Sequence, residues 1–272
     1  MSRLRGFTLI ELLIAVAVVG TLVSVMLPAL SGARESAKAV LCTSQQRQLV
    51  MGWRAYSHDY RGRVMPLAYT SLQDVGTGDS VFWWGAAGNV SGAVDRARGF
   101  LSPYIDDELG ESSVYECPNQ PEGTYRPQGS TGELTTTYGY NGYYLSPPKT
   151  PGWSFSIGHR PWQRVSSIDH PAHLLVFGDA LLPGSTPRST SLLDPPMLYD
   201  GDGEWRTNTA PTTAFRHHTS GGNGTAIAIR ADGSANAARS QHGWIVNEAH
   251  NIGSIGTDNS LRYVPDWKHW LD

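Results

Sequence analysis

Hydrophobic positions run almost unbroken through the first thirty residues, and two other patterns follow. From Leu12 to Leu30 there is no charged side chain, and Phe7 to Ile10 extends the apolar run beyond a single acid, Glu11. A membrane-crossing helix needs about 20 such residues, so the pattern predicts one. Further along, apolar or small residues recur at Ala33, Ala37, Val40, Leu41, Ser44, Leu49, Trp53, Tyr56 and Tyr60. Those steps, mostly of three and four, trace a helical stripe, with Arg, Glu, Lys and Gln elsewhere. The two stretches join into one helix from about Phe7 to about Asp59, roughly 80 Å long at 1.5 Å per residue. Its first half is apolar all round and its second half amphipathic. Gly62 and Pro66 are the stop signals beyond it.

From about residue 67 the period changes. Short β-prone runs alternate with turn-rich stretches: SVFWWG (80–85), SVYECP (113–118), TTTYGYNGYYL (135–145), HLLVFGDA (173–180) and GTAIAIRADGSANA (224–237). The last predicts a hairpin with Asp232-Gly233 at its turn. Loops rich in Gly, Pro and Ser occupy 118–134, 146–163 and 181–212, and no 20–50-residue period marks a solenoid. The expected class is α+β: one long amino-terminal helix packed on an antiparallel β-sheet with long loop insertions.

Charge changes the picture little. The net charge is −3, and the body has no strongly basic run, which argues against a nucleic-acid-binding surface. With 30 Gly, 17 Pro, 9 Trp and 12 Tyr, the composition suits a loop-rich, aromatic-cored β body. Arg3 and Arg5 precede the apolar run, which keeps the amino terminus cytoplasmic and sends the rest across the membrane. A cleaved secretion signal shares that basic start. Here the apolar stretch is long for one, and no small-x-small site closes it before Pro28; residues 29–33 only mimic such a site. A charged side chain at the centre of a membrane costs about 2.5–3.5 kcal/mol by insertion scales, so Glu11 either has a partner or snorkels to the membrane edge.

RGFTLIELLIAVAVVGTLVSVMLPAL resembles the amino-terminal signature of type IV prepilins and type II secretion pseudopilins. The resemblance implies that a prepilin peptidase cuts after Gly6 and methylates Phe7, and that Glu11 becomes the fifth residue of the mature chain. It divides the chain into a leader (1–6), a transmembrane and assembly half-helix (7–30), an amphipathic half-helix (31–60) and a β-rich periplasmic or extracellular domain (61–272). It also implies a structural subunit with no reaction of its own. Such a subunit sits in the inner membrane before assembly, then polymerises with copies of itself and other pilin-like subunits into a pilus-like or pseudopilus filament. Pairing of Glu11 with the Phe7 amine of a neighbour would set register, because an unpaired charge in an apolar bundle is strongly unfavourable. Pro28 marks either a kink or a stretch that can melt as subunits pack. The alternative is a minor or tip subunit that uses the stem to carry an adhesin or glycan-binding module.

A narrower resemblance runs along the body. Cys42 with TSQQRQLVMGWRAYSHDYRGRVMP, then YECPNQP, TYGYNGYYL, SSIDHPAHLLVFGDA and a final His…Asp-Gly block are similar to prepilin-type proteins with a carboxyl-terminal H-x9-DG motif. Here the motif would be carried by His218, Asp232 and Gly233, with thirteen intervening residues in place of nine.

Cys42 and Cys117 are the two cysteines. Beyond the inner membrane thiols oxidise readily, so a disulfide stapling helix to sheet is expected, closing a loop of about 75 residues for roughly 4 kcal/mol; two buried thiols are the alternative. His159, His170 and His173, and His217 and His218 with Asp232 and His242, show neither HExxH nor a zinc-type Cys/His spacing, and solvated loop residues are expected. Asp200, Asp202 and Glu204 alternate oxygen donors as calcium loops do, without the EF-hand ending; calcium is the one cofactor candidate. No nucleophile elbow, triad run or phosphate loop is present, and the glycines around Ser220 to Gly224 suit a turn. Trp83, Trp84, Trp153, Trp162 and Trp205 either anchor loops to the core or line an adhesive face.

Overall fold

The computed structural model describes residues 8–70, 78–88, 92–105, 113–121, 123–199, 203–219, 222–258 and 260–270. Helix α1 spans Leu9–Asp59 without a break, Pro28 included. Thr8 and Glu11 form a capping box at its start. The Thr8 amide and hydroxyl donate to the Glu11 carboxylate at 2.9 and 2.8 Å, and the Glu11 amide donates to the Thr8 hydroxyl at 3.3 Å, which satisfies amides the helix leaves unpaired. At the far end the amide of Gly62 donates to the Ser57 carbonyl at 2.7 Å. Gly62 takes a φ of 83° there, a turn only glycine makes without a Cβ penalty.

The first half of α1 stands clear of the body, its side chains exposed through Arg34. In the second half the buried face is displaced from the expected stripe. Leu49, Trp53 and Tyr56 face inward as expected, joined by Cys42, Gln45, Gln46, Val50, Gly52 and Ser57. Ala33, Ala37, Val40, Leu41, Ser44 and Tyr60 face solvent. The reason is polar. Gln45 donates to the Ser113 carbonyl at 3.1 Å and accepts from Tyr138 at 2.7 Å, while Gln46 donates to the Ile227 carbonyl at 3.0 Å. A buried amide with partners escapes the desolvation penalty that would otherwise keep it outside.

The strands, in chain order, are β1 (Ala68–Tyr69), β2 (Ser80–Phe82), β3 (Gly85–Ala87), β4 (Val94–Asp95), β5 (Tyr138–Tyr140), β6 (Leu175–Asp179) and β7 (Met197–Tyr199). They continue with β8 (Trp205–Thr207), β9 (Thr213–Ala214), β10 (Thr225–Arg230), β11 (Ala235–Arg239), β12 (Ile245–Asn247) and β13 (Ile252–Gly253). The central antiparallel sheet has the order β11-β10-β6-β5, and α1 lies on β10 and β6. Smaller sheets, β1-β2-β3-β4, β12-β13-β9 and the hairpin β7-β8, surround it. The expected hairpin is β10-β11, turning at Asp232 and Gly233.

Two expected strands differ. SVFWWG is itself a hairpin, with Trp83 and Trp84 in the turn between β2 and β3 and both rings buried. Residues 113–118 form turns, because threonines replace a strand partner. Thr136 Oγ1 and the Thr137 amide donate to the Tyr115 carbonyl at 2.8 and 3.1 Å, and the Cys117 amide donates to Thr137 Oγ1 at 2.6 Å. The 181–212 loop is partly ordered by β7-β8.

Aromatic rings fill the core between helix and sheet. Phe177 lies 5.1 Å from Trp83 and 5.3 Å from Tyr140. A second cluster of Tyr143, Tyr144, Tyr199, Trp205 and Trp270 pins the carboxyl-terminal loops, with the Arg160 guanidinium 4.3 Å above the Tyr199 ring.

Candidate functional site

Where α1 meets the end of β6, four chemically active side chains converge. Cys42 is the first residue of α1 to be fully buried. Cys117 sits in the turn that the threonines hold, and Asp179 is the last residue of β6. His217 follows β9, and its backbone pairs in both directions with Thr225 at the start of β10. That pairing turns its ring inward and leaves His218, at φ 50°, facing solvent.

All four are buried, and one ligand atom from each lies within 4.8 Å of the others. Cys42 Sγ is 3.3 Å from Asp179 Oδ1, His217 Nε2 is 3.3 Å from Asp179 Oδ2, and Cys117 Sγ is 3.3 Å from His217 Nε2. Around them, the Ile227 amide donates to Asp179 Oδ2 at 2.8 Å, while Gln46 Nε2 and the Tyr138 hydroxyl each lie 3.4 Å from Cys42 Sγ. Arg216 is buried beside the set, donating to the carbonyls of Thr137 and Ala180 at 3.2 and 3.1 Å. Burial opposes ionisation of Asp179, yet Arg216 and His217 outweigh it and hold the carboxyl below its usual range. For Cys117, burial is likewise outweighed, by the Cys42 thiol, His217 and Arg216, and its pKa falls to about 6. For His217, burial is outweighed by Asp179 and Cys117, and its pKa rises to about 10.

The structure therefore brings Cys42 and Cys117 together, but as two free thiols. In place of the expected disulfide, the two thiols stand with Asp179 and His217 in a four-donor cluster. Asp179 and the inward turn of His217 are not legible in the spacing of the sequence. The one local signal is an acid closing the apolar run LLVFGD.

The remaining candidates lie apart. Glu11 caps α1, and Pro28 lies on its exposed half. Asp232 accepts from the Ser234 amide and hydroxyl at 2.8 and 2.7 Å, and Gly233 takes a φ of 87°, so both serve the turn. His218 offers its backbone amide to Glu35 at 3.2 Å. Gly6, Phe7, Asp200 and Asp202 lie outside the described residues, and Glu204 is exposed. His159, His170, His173 and His242 are exposed as well. Trp162 donates to the Val64 carbonyl at 2.9 Å, and Trp153 packs 5.6 Å from Tyr143, so these rings anchor loops. Trp153 also lines a cleft of about 420 Å³ with Tyr199, Arg206, Asn208 and Asp194.

Residues 1–27 match the family described as the prokaryotic N-terminal methylation motif. No curated protein and no solved structure matches the chain. A methylation motif leading into a helix long and apolar enough to cross a membrane, followed by antiparallel sheets, makes this chain type IV prepilin-like.

Proposed function

We propose that the protein is a structural subunit of a type IV pilus-like or type II secretion pseudopilus filament, processed after Gly6 and polymerised through α1. The supporting observation is that the charge-free stretch from Leu12 to Leu30 is entirely exposed. That is a surface for lipid first and for neighbouring helices afterwards. Glu11 then acts as a register mark. The box with Thr8 holds its carboxylate at the helix start, beside where the neighbour's Phe7 amine must arrive. Pairing removes much of the cost of two charges in an apolar bundle. The subunit catalyses no reaction; its partners are its own copies, other pilin-like subunits and the prepilin peptidase.

The test is Glu11→Ala and Glu11→Gln in cells that make the filament. Membrane insertion should be unchanged, while sheared surface filaments containing the subunit should be lost. Normal filaments from either variant would refute the reading.

A second role is compatible with the first. The cleft beside Trp153, with one aromatic wall and the polar side chains of Arg206 and Asn208, has the chemistry of a glycan site. Glycan-array binding by the wild-type chain, lost in Trp153→Ala, would support it; an array with no signal removes it.

A further inference from the structure

We propose that Cys42, Cys117, Asp179 and His217 hold one tetrahedral zinc ion that ties α1 to the central sheet. The geometry carries this. A tetrahedral zinc with bonds of about 2.0–2.1 Å to nitrogen or oxygen and about 2.3 Å to sulfur spaces its donors about 3.3 to 3.8 Å apart. Cys42 Sγ to Asp179 Oδ1, His217 Nε2 to Asp179 Oδ2 and Cys117 Sγ to His217 Nε2 each measure 3.3 Å, and one ligand atom from each residue lies within 4.8 Å of the rest. The ion enters with only small shifts of the side chains.

Donor chemistry selects the metal. Two sulfurs and an imidazole disfavour calcium and magnesium, which take oxygen ligands, and favour zinc. All four donors are buried, which is the arrangement of a closed, structural site and leaves no open position for a substrate.

Charge also closes. Two thiolates and one carboxylate carry three negative charges; the ion cancels two, and the buried Arg216 guanidinium cancels the third. Binding transfers the protons it displaces from sulfur and imidazole to solvent and changes no oxidation state. Coordination through Nε2 places the ring proton on Nδ1. The surrounding bonds are those of outer-shell support. Ile227 holds Asp179 Oδ2, while Gln46 Nε2 lies 3.4 Å from Cys42 Sγ, fixing ligand orientation as such partners do in metal sites.

The four ligands come from α1, the 113–121 turn, the end of β6 and the segment after β9. A single ion therefore adds a bonded junction to parts of the chain that otherwise meet through packing and scattered hydrogen bonds. Stability should depend on it by mass action.

The test uses the full chain purified in detergent without added metal or oxidant. Elemental analysis should find one zinc per chain. Exchange for Co²⁺ should give a sulfur-to-cobalt charge-transfer band, absent in Cys42→Ser and in His217→Ala and retained in His218→Ala. Should the ligand variants fail to fold, the wild-type chain still decides. Its melting temperature should fall after dialysis against a strong chelator and recover with Zn²⁺ but not with Ca²⁺. A folded, reduced chain that takes up no Co²⁺ overturns the proposal. So does a chain isolated from cells with Cys42 and Cys117 joined as a disulfide.

Discussion

Asp194 gives a quantitative prediction. Its side chain is buried in the wall of the cleft beside Trp153, and its Oδ1 has no partner among the described residues. Burial raises its pKa to about 7, only partly offset by a hydrogen bond from Trp153. In the unfolded chain the same group titrates near 3.9. Between those values the folded state holds a proton that the unfolded state has lost, so stability falls as pH rises across the window. It is complete below about pH 4 and lost by about pH 7. Three pH units at about 1.4 kcal/mol each come to about 4 kcal/mol, to within roughly a factor of two. For a chain of this size 1 kcal/mol moves the melting temperature by about 2–4 °C, so the contribution of this one carboxyl is on the order of 10 °C.

Asp194→Asn isolates it. The amide keeps the shape and cannot ionise. Its desolvation costs about 1–3 kcal/mol, and that cost is independent of pH. The variant should be no more stable than wild type at pH 4 and more stable at pH 8. The assay is tryptophan fluorescence melting of the body in detergent from pH 4 to pH 8, read as variant minus wild type. Other carboxylates cancel in that difference, including Asp179, whose depressed pKa pushes stability the opposite way. A difference that stays flat with pH would mean that Asp194 ionises freely in the folded chain, and the assignment of a desolvated carboxyl would fail.

Two further outcomes follow from the core. A Cβ on Gly139 would lie 2.7 Å from the backbone of Leu192 and Leu193, with no flexible side chain to yield. Gly139→Ala should therefore cost at least the about 1–3 kcal/mol of overpacking, visible as a lower urea midpoint; an unchanged midpoint contradicts the packing. The Tyr140 hydroxyl donates to the Met65 carbonyl at 2.8 Å and accepts from Trp53 Nε1 at 3.2 Å. Tyr140→Phe strands both buried groups and should cost about 1–3 kcal/mol; equal unfolding curves would show that water reaches the pair.

What the sequence discloses follows the range of the physics. The length and end of α1 are local matters of apolar composition, capping and Gly62, and the β10-β11 turn rests on Asp232-Gly233; all are legible. The helix face is not, because Gln45 and Gln46 face inward for partners on Ser113, Tyr138 and Ile227, more than sixty residues away. The thiol cluster is harder still. His217 and His218 are identical neighbours, and only the pairing of one with Thr225 decides which is buried. Cys117 reads as a strand end, yet the threonines that hold its turn are twenty residues on.

The spacing along α1 bears on how a filament would display the body. Leu12 to Leu30 covers roughly 28 Å of helix, close to the about 30 Å hydrocarbon core. From Leu30 to Cys42 is only about 18 Å more, a short neck carrying Arg34, Glu35 and Lys38. That neck is fastened. The Glu35 carboxylate accepts from the amide of His218 at 3.2 Å and from Asn119 Nδ2, which also donates to the Arg216 carbonyl at 2.6 Å. The same short segment, Arg216 to His218, thus touches both the neck and the four-donor cluster beneath it. A body held to its helix at two levels has little freedom to swivel about the helix axis. If Glu11 fixes the axial register of the helices, these contacts carry that register outward, and each β body must take one fixed orientation on the filament surface.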